Sequence, residues 1–222
     1  MHRIEIPQWA VERGRLAQSF TALDAPRAAL LAIDLQNAFT RPGEVFANPH
    51  ACDIVPLVNR LAAALRAAGG RVVWTRQTVS DDGERALPAW HYDESSERVR
   101  QAKAALRAGA EGHALHAGCE VGAGDWIVDK YRYSPFARHG SDLDARLRTA
   151  GIDTLVIAGT LTNCCCESAA RDAAQLGYKV FFAADATAAV TDEEHNAALL
   201  NLTLMFADVR PAAEIVALAG AA

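Results

Sequence analysis

Three consecutive cysteines, Cys164 to Cys166, open a stretch with a helical pattern. The apolar run 155–158 precedes them and ends at Gly159, so the sequence predicts a buried strand, a tight turn and a helix in that order. At the first turn of a helix, unpaired backbone N–H groups and the helix dipole stabilise a thiolate. A nucleophilic thiol is therefore the first candidate for chemistry in this chain.

An acid and a base follow two other predicted strands. Asp34 stands near the end of the apolar run 28–35, and Lys130 ends the short strand predicted at 125–129. The carboxyl ends of the strands of an open parallel sheet face one crevice, so these side chains and the cysteines are expected to converge. Each residue type also has a structural alternative, as a turn former, a solvent-facing base or an inert buried thiol.

The elements that must position these residues alternate along the whole chain. Strands are predicted at 28–35, 71–76, 125–129, 154–158, 179–184 and 205–209. Helices are predicted at 54–68, 96–107, 141–150, 163–176, 191–204 and from Pro211 onward. The alternation predicts one α/β domain over residues 1–222, a three-layer α/β/α, doubly wound fold with a central, mainly parallel six-stranded sheet.

Two segments do not follow this alternation. Residues 1–27 are polar and irregular, and they are predicted to form an arm that packs on the domain or on a second subunit. The segment 77–123, called the variable segment below, is long and contains polar, helix-like and irregular stretches. It ends in a glycine-rich stretch. Because a connection of this length usually carries function, segment 77–123 is predicted to set substrate specificity.

Composition excludes several classes of protein. Apolar residues make up 51% of the chain and the net charge is −5, which excludes a disordered chain and provides no basic field for nucleic acid. No apolar run has the length of a membrane span or a signal-peptide core. The five cysteines form a poor disulfide framework and fit a reducing compartment. We expect a cytoplasmic protein that binds a small molecule, and neither nucleic acid nor membranes.

Three motifs resemble the isochorismatase-like cysteine hydrolases, which include nicotinamidase, N-carbamoylsarcosine amidohydrolase, biuret hydrolase and ureidoacrylate amidohydrolase. They are LLAIDLQNAF at 30–39, VDKYRYSPF at 128–136 and AGTLTNCCCESAARDA at 158–173. The resemblance extends over about residues 28–218 and implies the isochorismatase-like fold.

The same resemblance implies a catalytic triad of Asp34, Lys130 and Cys165. The family spacing G-x-x-T-x-x-C, met here by Gly159 and Thr162, selects the middle cysteine. The acid would take the thiol proton, the lysine would stabilise the charged pair, and the thiolate would attack a carbonyl carbon.

The turn before the nucleophile is expected to contribute as well. The resemblance implies a cis peptide bond between Thr160 and Leu161, and it implies that the N–H groups of Leu161 and Cys165 form an oxyanion hole. Successive helical residues point about 100° apart, so three cysteines in a row cannot all face the crevice. Cys164 and Cys166 are therefore predicted to pack against the sheet.

Neither a metal nor another cofactor is predicted. Nicotinamidases of this family have an Asp-x-His metal pair after the second strand, where this chain has Thr-Arg-Gln-Thr at 75–78. His91 and Asp93 form an H-x-D pair within the variable segment, and they are interpreted as surface or substrate contacts.

Aromatic and basic side chains are the candidates for contacts with the substrate. Phe39, Trp90 and Tyr131 are predicted to contact it, although aromatic residues at such positions also occur in cores. The cations available for a substrate carboxylate are Arg76, Arg132 and Arg138, although exposed arginines are common.

The leading hypothesis is a metal-independent cysteine amidohydrolase that cleaves the C–N bond of a small amide or ureide through a thioester. The motif T-N-x-C-x-E-S at 162–168 resembles the ureido- and carbamoyl-cleaving members of the family. The alternatives are a vinyl-ether hydrolase of the isochorismatase type or a lactam-opening hydrolase on the same site, and a thiol redox or sensor protein. Because relatives are dimers or tetramers, a homodimer or homotetramer is expected.

Overall fold

The computed structural model describes residues 1–220 and contains a sheet of six parallel strands. In chain order the strands are β1 (Ala28–Ile33), β2 (Arg71–Gln77), β3 (Trp126–Lys130), β4 (Thr154–Thr160), β5 (Lys179–Ala188) and β6 (Asp208–Arg210). Their spatial order is β3-β2-β1-β4-β5-β6. The predicted parallel sheet is confirmed.

Helices connect the strands and cover both faces of the sheet. The α-helices are α1 (Gln8–Gly14), α2 (Asn37–Thr40), α3 (Ala51–Ala67), α4 (Glu97–Ala105), α5 (Leu143–Thr149), α6 (Glu167–Gln175), α7 (Asp192–Met205) and α8 (Ala212–Ala219). The helix predicted at 191–204 begins with Thr191 and Glu194 in the T-x-x-E spacing of a capping box, and the structure forms this box: Glu194 N donates to Thr191 Oγ1 and Thr191 N donates to Glu194 Oε2. No helix of the described chain is long and apolar enough to cross a membrane.

The central strand β1 contributes side chains to two separate cores, because successive residues of a strand point to opposite faces. Leu30 and Ala32 belong to the core that α3 and α8 cover. Leu31 and Ile33 belong to the core under α5, α6 and α7. Every residue of β1 is buried, so the apolar run is explained by burial on both faces, and the three-layer prediction is confirmed.

The strand order reverses next to β1, which pairs with β2 on one side and β4 on the other. From this position the chain proceeds outward to β3 in one direction and to β6 in the other. Such a reversal opens a crevice at the carboxyl ends of the two neighbouring strands, which is where open α/β sheets place their ligands.

Several boundaries differ from the sequence predictions. The first strand ends at Ile33 instead of residue 35, because Asp34 has a φ of +51° and leaves the extended conformation. The last strand begins at Asp208, and Met205 belongs to α7, whose helical hydrogen bonding continues into that residue. A short apolar run does not by itself distinguish a helix end from an edge strand.

The predicted irregular arm at 1–27 contains helix α1. Only Ala10 and Gly14 of this helix are buried, so its sequence has a weak helical pattern. A Cβ atom at Gly14 would lie 2.1 Å from the carbonyl oxygen of Thr203 in α7. The close contact between α1 and α7 therefore requires a residue without a side chain at this position.

The variable segment 77–123 is attached to the carboxyl edge of the sheet. The side-chain amide of Gln36 donates to the carbonyl oxygens of Gln77 and His113, both at 3.1 Å. The N–H of Val79 donates to the carbonyl of Leu106 at 3.0 Å. These contacts hold the segment, including α4, over the crevice between β1 and β4.

Candidate active site

Asp34 lies immediately after β1 and is completely buried. Its Oδ1 accepts a hydrogen bond from Thr75 Oγ1 at 2.7 Å, and its Oδ2 lies 2.8 Å from Lys130 Nζ. The left-handed backbone of Asp34 is a conformation that Asp adopts more readily than most residues. Oδ2 has no well-aligned hydrogen-bond donor in the described chain, so a lone pair remains available for a thiol proton.

Lys130 is the last residue of β3 and its side chain reaches across β2 toward the crevice. The ammonium donates to Gln77 Oε1 at 2.6 Å and to the carbonyl oxygen of Arg132 at 3.2 Å. Burial lowers the pKa of Lys130, but the negative charge of Asp34 and the nearby Cys165 oppose this effect and hold the pKa above its ordinary value. Lys130 is therefore a permanent cation inside the site.

Cys165 lies in a π-helical turn, residues Thr162–Cys166, between β4 and α6. Its Sγ is 3.4 Å from Lys130 Nζ, and the side chain is buried. Contact with the thiol of Cys164, burial and the charge of Asp34 raise the pKa of Cys165 well above the ordinary range of a thiol. The resting thiol is therefore protonated at neutral pH and requires a base.

Gly159 allows β4 to approach β1 closely enough to bring these groups together. Its φ is +118°, and a Cβ atom at this position would lie 2.1 Å from the carbonyl oxygen of Ile33. The pairing of β4 with β5 is irregular at the same position. Because only glycine fits, the first residue of the G-x-x-T-x-x-C motif has a steric explanation.

The peptide bond between Thr160 and Leu161 is cis, as the family resemblance implies. The carbonyl oxygen of Leu161 accepts from the N–H groups of Cys164 and Cys166, at 3.2 and 3.1 Å. The N–H of Leu161 has no acceptor among residues 1–220, and Leu161 lines a cavity in front of Cys165. An unpaired N–H group beside the thiol is the arrangement that an oxyanion donor requires.

The cavity in front of Cys165 has a volume of about 260 Å³ and mostly apolar walls. Its polar lining groups include Gln77, His91 and the hydroxyl-bearing rings of Tyr92 and Tyr133. The hydrocarbon side chains in its walls are those of Phe39, Phe46, Val79, Leu87, Leu106 and Leu161. A concave apolar site beside a buried ion pair and a thiol is the expected form of a small-molecule active site.

Comparisons with known proteins show the family of this chain. A family model described as an isochorismatase domain matches residues 28–214. The chain belongs to the isochorismatase family. A ureidoacrylate amidohydrolase of Methylobacterium radiotolerans is 34% identical over 199 residues, which cover 83% of this chain and 76% of the relative.

Solved structures of isochorismatase-like proteins have the same fold. A cysteine hydrolase from Pseudomonas syringae pv. phaseolicola superposes with a TM-score of 0.80 at 27% identity, covering 91% of this chain and 97% of the other. An N-carbamoylsarcosine amidase from Thermoplasma acidophilum has a TM-score of 0.66 at 25% identity, with coverage of 84% and 96%. This chain is therefore an isochorismatase-family hydrolase by sequence and by fold.

The predicted substrate contacts of this isochorismatase-family hydrolase lie in different places. Phe39 lines the cavity. Trp90 is 82% exposed and does not line it. Tyr131 faces a separate polar cavity, where the guanidinium of Arg85 lies 4.8 Å above its ring. Only Phe39 of the three is in position to touch a substrate beside Cys165, because Tyr131 lines the separate cavity together with Asp129, on the side opposite to the Lys130 side chain.

The two flanking cysteines also differ from each other. Cys166 is fully buried in the core under α6, as predicted. Cys164 is half-buried, packs partly on the same core and lines the cavity beside Cys165. Cys164 thus packs on the core as predicted, but it also faces the cavity, because the π-helical turn changes the direction of successive side chains from that of an α-helix.

The predicted arginines are bound by other groups of the protein. Arg76 pairs with Asp129 at 2.6 Å and Arg138 contacts the ring of His139 at 2.8 Å. Arg132 lines the cavity, but its guanidinium donates to backbone carbonyl oxygens, including that of Arg85 at 2.9 Å. Each of the three guanidinium groups therefore already has a partner within the protein.

The sequence did not indicate several residues that contact Asp34, Lys130 or the turn that carries Cys165. Thr75 and Gln77 lie at the carboxyl end of β2, and the same rule that located Asp34 also applies to that strand. Thr162 Oγ1 contacts His195 Nδ1 of α7 at 2.9 Å, and both are buried. No local pattern indicated the pairing of Thr162 with His195.

The positions of the nicotinamidase metal pair have other contacts in this chain. Thr75 donates to Asp34, and Thr78 Oγ1 lies 2.8 Å from His113 Nε2. No group of three or more His, Cys, Asp or Glu side chains within residues 1–220 is arranged to hold a metal ion. The residues at 75–78 do not fit that metal site.

Proposed function

We propose that this protein is a metal-independent cysteine hydrolase that cleaves the C–N bond of a small amide or ureide. Cys165 is the nucleophile, Asp34 the general acid and base, and Lys130 the cation that stabilises the charges formed between them. The reaction proceeds through a thioester on Cys165.

The main support for this proposal is the position of the Lys130 ammonium. Lys130 Nζ lies 2.8 Å from Asp34 Oδ2 and 3.4 Å from Cys165 Sγ, and all three side chains are buried. A buried ammonium that touches both a carboxylate and a thiol stabilises the anionic form of either one, and ionisable groups in such surroundings cluster at functional sites. Transfer of the thiol proton to the carboxylate creates a thiolate that remains paired with the ammonium.

In the first half-reaction, Asp34 takes the proton of Cys165 while the sulfur forms a bond to the substrate carbonyl carbon. The electron pair of the carbonyl π bond moves to the oxygen, which accepts hydrogen bonds from the N–H groups of Leu161 and Cys165. The C–N bond then breaks, and Asp34 returns its proton to the leaving nitrogen. An amine or ammonia departs, and the acyl group remains on sulfur.

In the second half-reaction, water is the nucleophile. Asp34, ionised again, takes a proton from the water as its oxygen attacks the thioester carbon. Collapse of the tetrahedral intermediate breaks the C–S bond, and the thiolate regains the proton held by Asp34. The products are a carboxylic or carbamic acid and the free enzyme.

The relatives favour C–N cleavage over the other reactions of this fold. Similar proteins are named as a ureidoacrylate amidohydrolase, a nicotinamidase and an N-carbamoylsarcosine amidase. The presence of a nucleophilic thiol beside an acid points in the same direction, because cleavage of a vinyl ether does not require a thioester.

The test is the release of ammonia from a panel of amides, ureides and carbamoyl amino acids by matched cysteine variants. Cys165→Ala and Cys165→Ser are expected to lose at least about 10³-fold in kcat, whereas Cys164→Ala and Cys166→Ala retain most of it. Intact-mass spectrometry of the rapidly quenched wild type is expected to show an acyl adduct on the peptide that contains Cys165.

Two results would contradict the proposed C–N cleavage at Cys165. One is full activity of Cys165→Ala together with inactivity of Cys164→Ala, which would move the nucleophile. The other is an absence of ammonia release across the panel together with cleavage of a vinyl ether. Inactivation by EDTA would refute the metal-independent part of the mechanism.

A further inference from the structure

We infer that the cavity selects a neutral amide that carries a compact hydrocarbon group, either aryl or branched alkyl, and that it rejects amides with a carboxylate. This inference rests on the proposed function and narrows its substrate class. It follows from the walls of the cavity in front of Cys165 and from the partners of every cation that lines it.

The walls offer contact with hydrocarbon on several sides. Phe39 and Phe46 stack on each other with ring centroids 5.8 Å apart, and Leu106 packs with them. Val79 and Leu87 complete the apolar lining. Since an apolar cavity of about 150 Å³ accepts benzene, the 260 Å³ found here has room for an amide of about a dozen non-hydrogen atoms.

The cations that line the cavity are occupied by other groups. Lys103 forms an ion pair with Glu94. Arg132 donates to the carbonyl oxygens of Tyr131, Arg85, Glu84 and Ala86 at 2.7, 2.9, 2.8 and 3.3 Å. Among the described residues, the third cation near the reacting thiol is Lys130, whose partners are Asp34 and Gln77.

The remaining polar side chains of the lining have hydrogen-bond partners within the protein. The hydroxyl of Tyr133 lies 2.8 Å from His91 Nε2 and 3.2 Å from the hydroxyl of Tyr92. Gln77 Oε1 accepts from the Lys130 ammonium. Polar recognition is therefore concentrated at the reacting carbonyl, where the Leu161 N–H is available.

A substrate carboxylate would lose its water shell on entering this cavity and would find no free cation there. A hydrocarbon group of the same shape loses nothing and gains contact with the walls. Only the charged amide bears this free energy of desolvation. A neutral and a charged amide should therefore differ in kcat/KM even though the same C–N bond is cleaved.

The experiment compares 4-methylpentanamide with succinamate. The two amides have the same length, and a branched isopropyl group in the first occupies the position of the planar carboxylate in the second. Ammonia release by the wild-type protein is expected to show a kcat/KM at least 100-fold higher for 4-methylpentanamide. Benzamide is expected to be a better substrate than succinamate for the same reason.

A charge variant identifies the residue that enforces the preference. Glu94→Gln releases Lys103 from its ion pair, and it should raise kcat/KM for succinamate at least tenfold while changing that for 4-methylpentanamide by less than threefold. Glu97→Gln is the matched control, because Glu97 is an exposed carboxylate nearby that pairs instead with Arg100 at 2.6 Å. This control should leave the ratio of the two substrates unchanged.

A binding measurement separates the substrate class from the catalytic proposal. Calorimetric titration of the Cys165→Ala variant is expected to give tighter binding of 4-methylpentanamide than of succinamate. Equal or tighter binding of succinamate overturns the inference, as does a succinamate kcat/KM equal to that of the neutral amide. If the neutral amide binds preferentially but no amide is hydrolysed, the proposed function fails and the inferred selectivity of the cavity stands.

Discussion

Asp34, Lys130 and Cys165 are attached to the ends of three strands of one sheet, whereas the cavity before them is walled largely by the variable segment 77–123. The three side chains are buried and their backbone lies in or next to hydrogen-bonded strands. The cavity walls are held instead by contacts of partly exposed side chains, such as those of Arg132 with the carbonyl oxygens of Arg85 and Glu84.

This difference separates the residues of the proposed chemistry from those proposed to select the substrate. The positions of the proposed triad are coupled to the sheet register, so a change there alters the whole core. The walls depend on a few local contacts, and exposed contacts of this kind are worth little in stability. Substitutions in segment 77–123 can therefore change the cavity without disturbing the triad.

The largest effect is expected from Asp34→Asn. The amide cannot accept the thiol proton, so kcat should fall by about 10³-fold or more for every substrate alike. Steady-state ammonia release with a good and a poor amide substrate measures this. A fall in kcat confined to one substrate would show that Asp34 binds that substrate and does not act as the general base.

The next largest effect is expected from Lys130→Met, measured as the free energy of unfolding in urea. Removal of the ammonium leaves the buried Asp34 carboxylate without its partner, at a cost of about 3–5 kcal/mol. The double variant Asp34→Asn/Lys130→Met removes both charges and should recover much of this loss. Equal destabilisation in the single and double variants would contradict the pairing.

The turn that carries Cys165 also depends on a buried imidazole. Burial of His195 lowers its pKa from 6.5 to about 4, and His2, whose ring stacks on it at 4.2 Å, acts in the same direction. In the unfolded chain the imidazole takes up a proton near pH 6.5, whereas in the folded protein it does so only near pH 4. Folding stability should therefore fall as the pH falls through this window, by about 3 kcal/mol in total.

The measurement is urea unfolding at several pH values for the wild type and for His195→Gln. The variant should lose much of the slope between pH 6.5 and pH 4, because its side chain does not titrate. His50 and His113 also have lowered pKa values and contribute to the slope that remains. An unchanged slope in the variant would refute the assignment to His195.

The smallest effect is expected in the cavity wall, from Arg132→Lys. Lysine cannot reproduce the fork that binds the carbonyl oxygens of residues 84–86, so Leu87 should lose its fixed place in the wall. KM should rise about three- to tenfold, equivalent to roughly 1 kcal/mol, with kcat unchanged within about twofold. Limited proteolysis near residues 84–87 should become faster, and a fall in kcat without a change in KM would contradict this role.

Several elements were predictable because their patterns are local. The buried strand that precedes Asp34, the capping box at Thr191 and Glu194, and the turn at Gly159 each depend on neighbouring residues. The edge strand β6 was misplaced and helix α1 was missed, because a three-residue strand and a helix with two buried positions have little periodicity.

By itself the sequence determined the parallel sheet and the convergence of Asp34, Lys130 and a cysteine at its carboxyl edge. Strand ends meet there whatever the details of packing. Only the tertiary structure decided that Cys164 faces the cavity with Cys165, and that Tyr133 lines its wall instead of Tyr131. Those outcomes depend on side-chain directions in a π-helical turn and in loops, which are set by contacts between residues far apart in the chain.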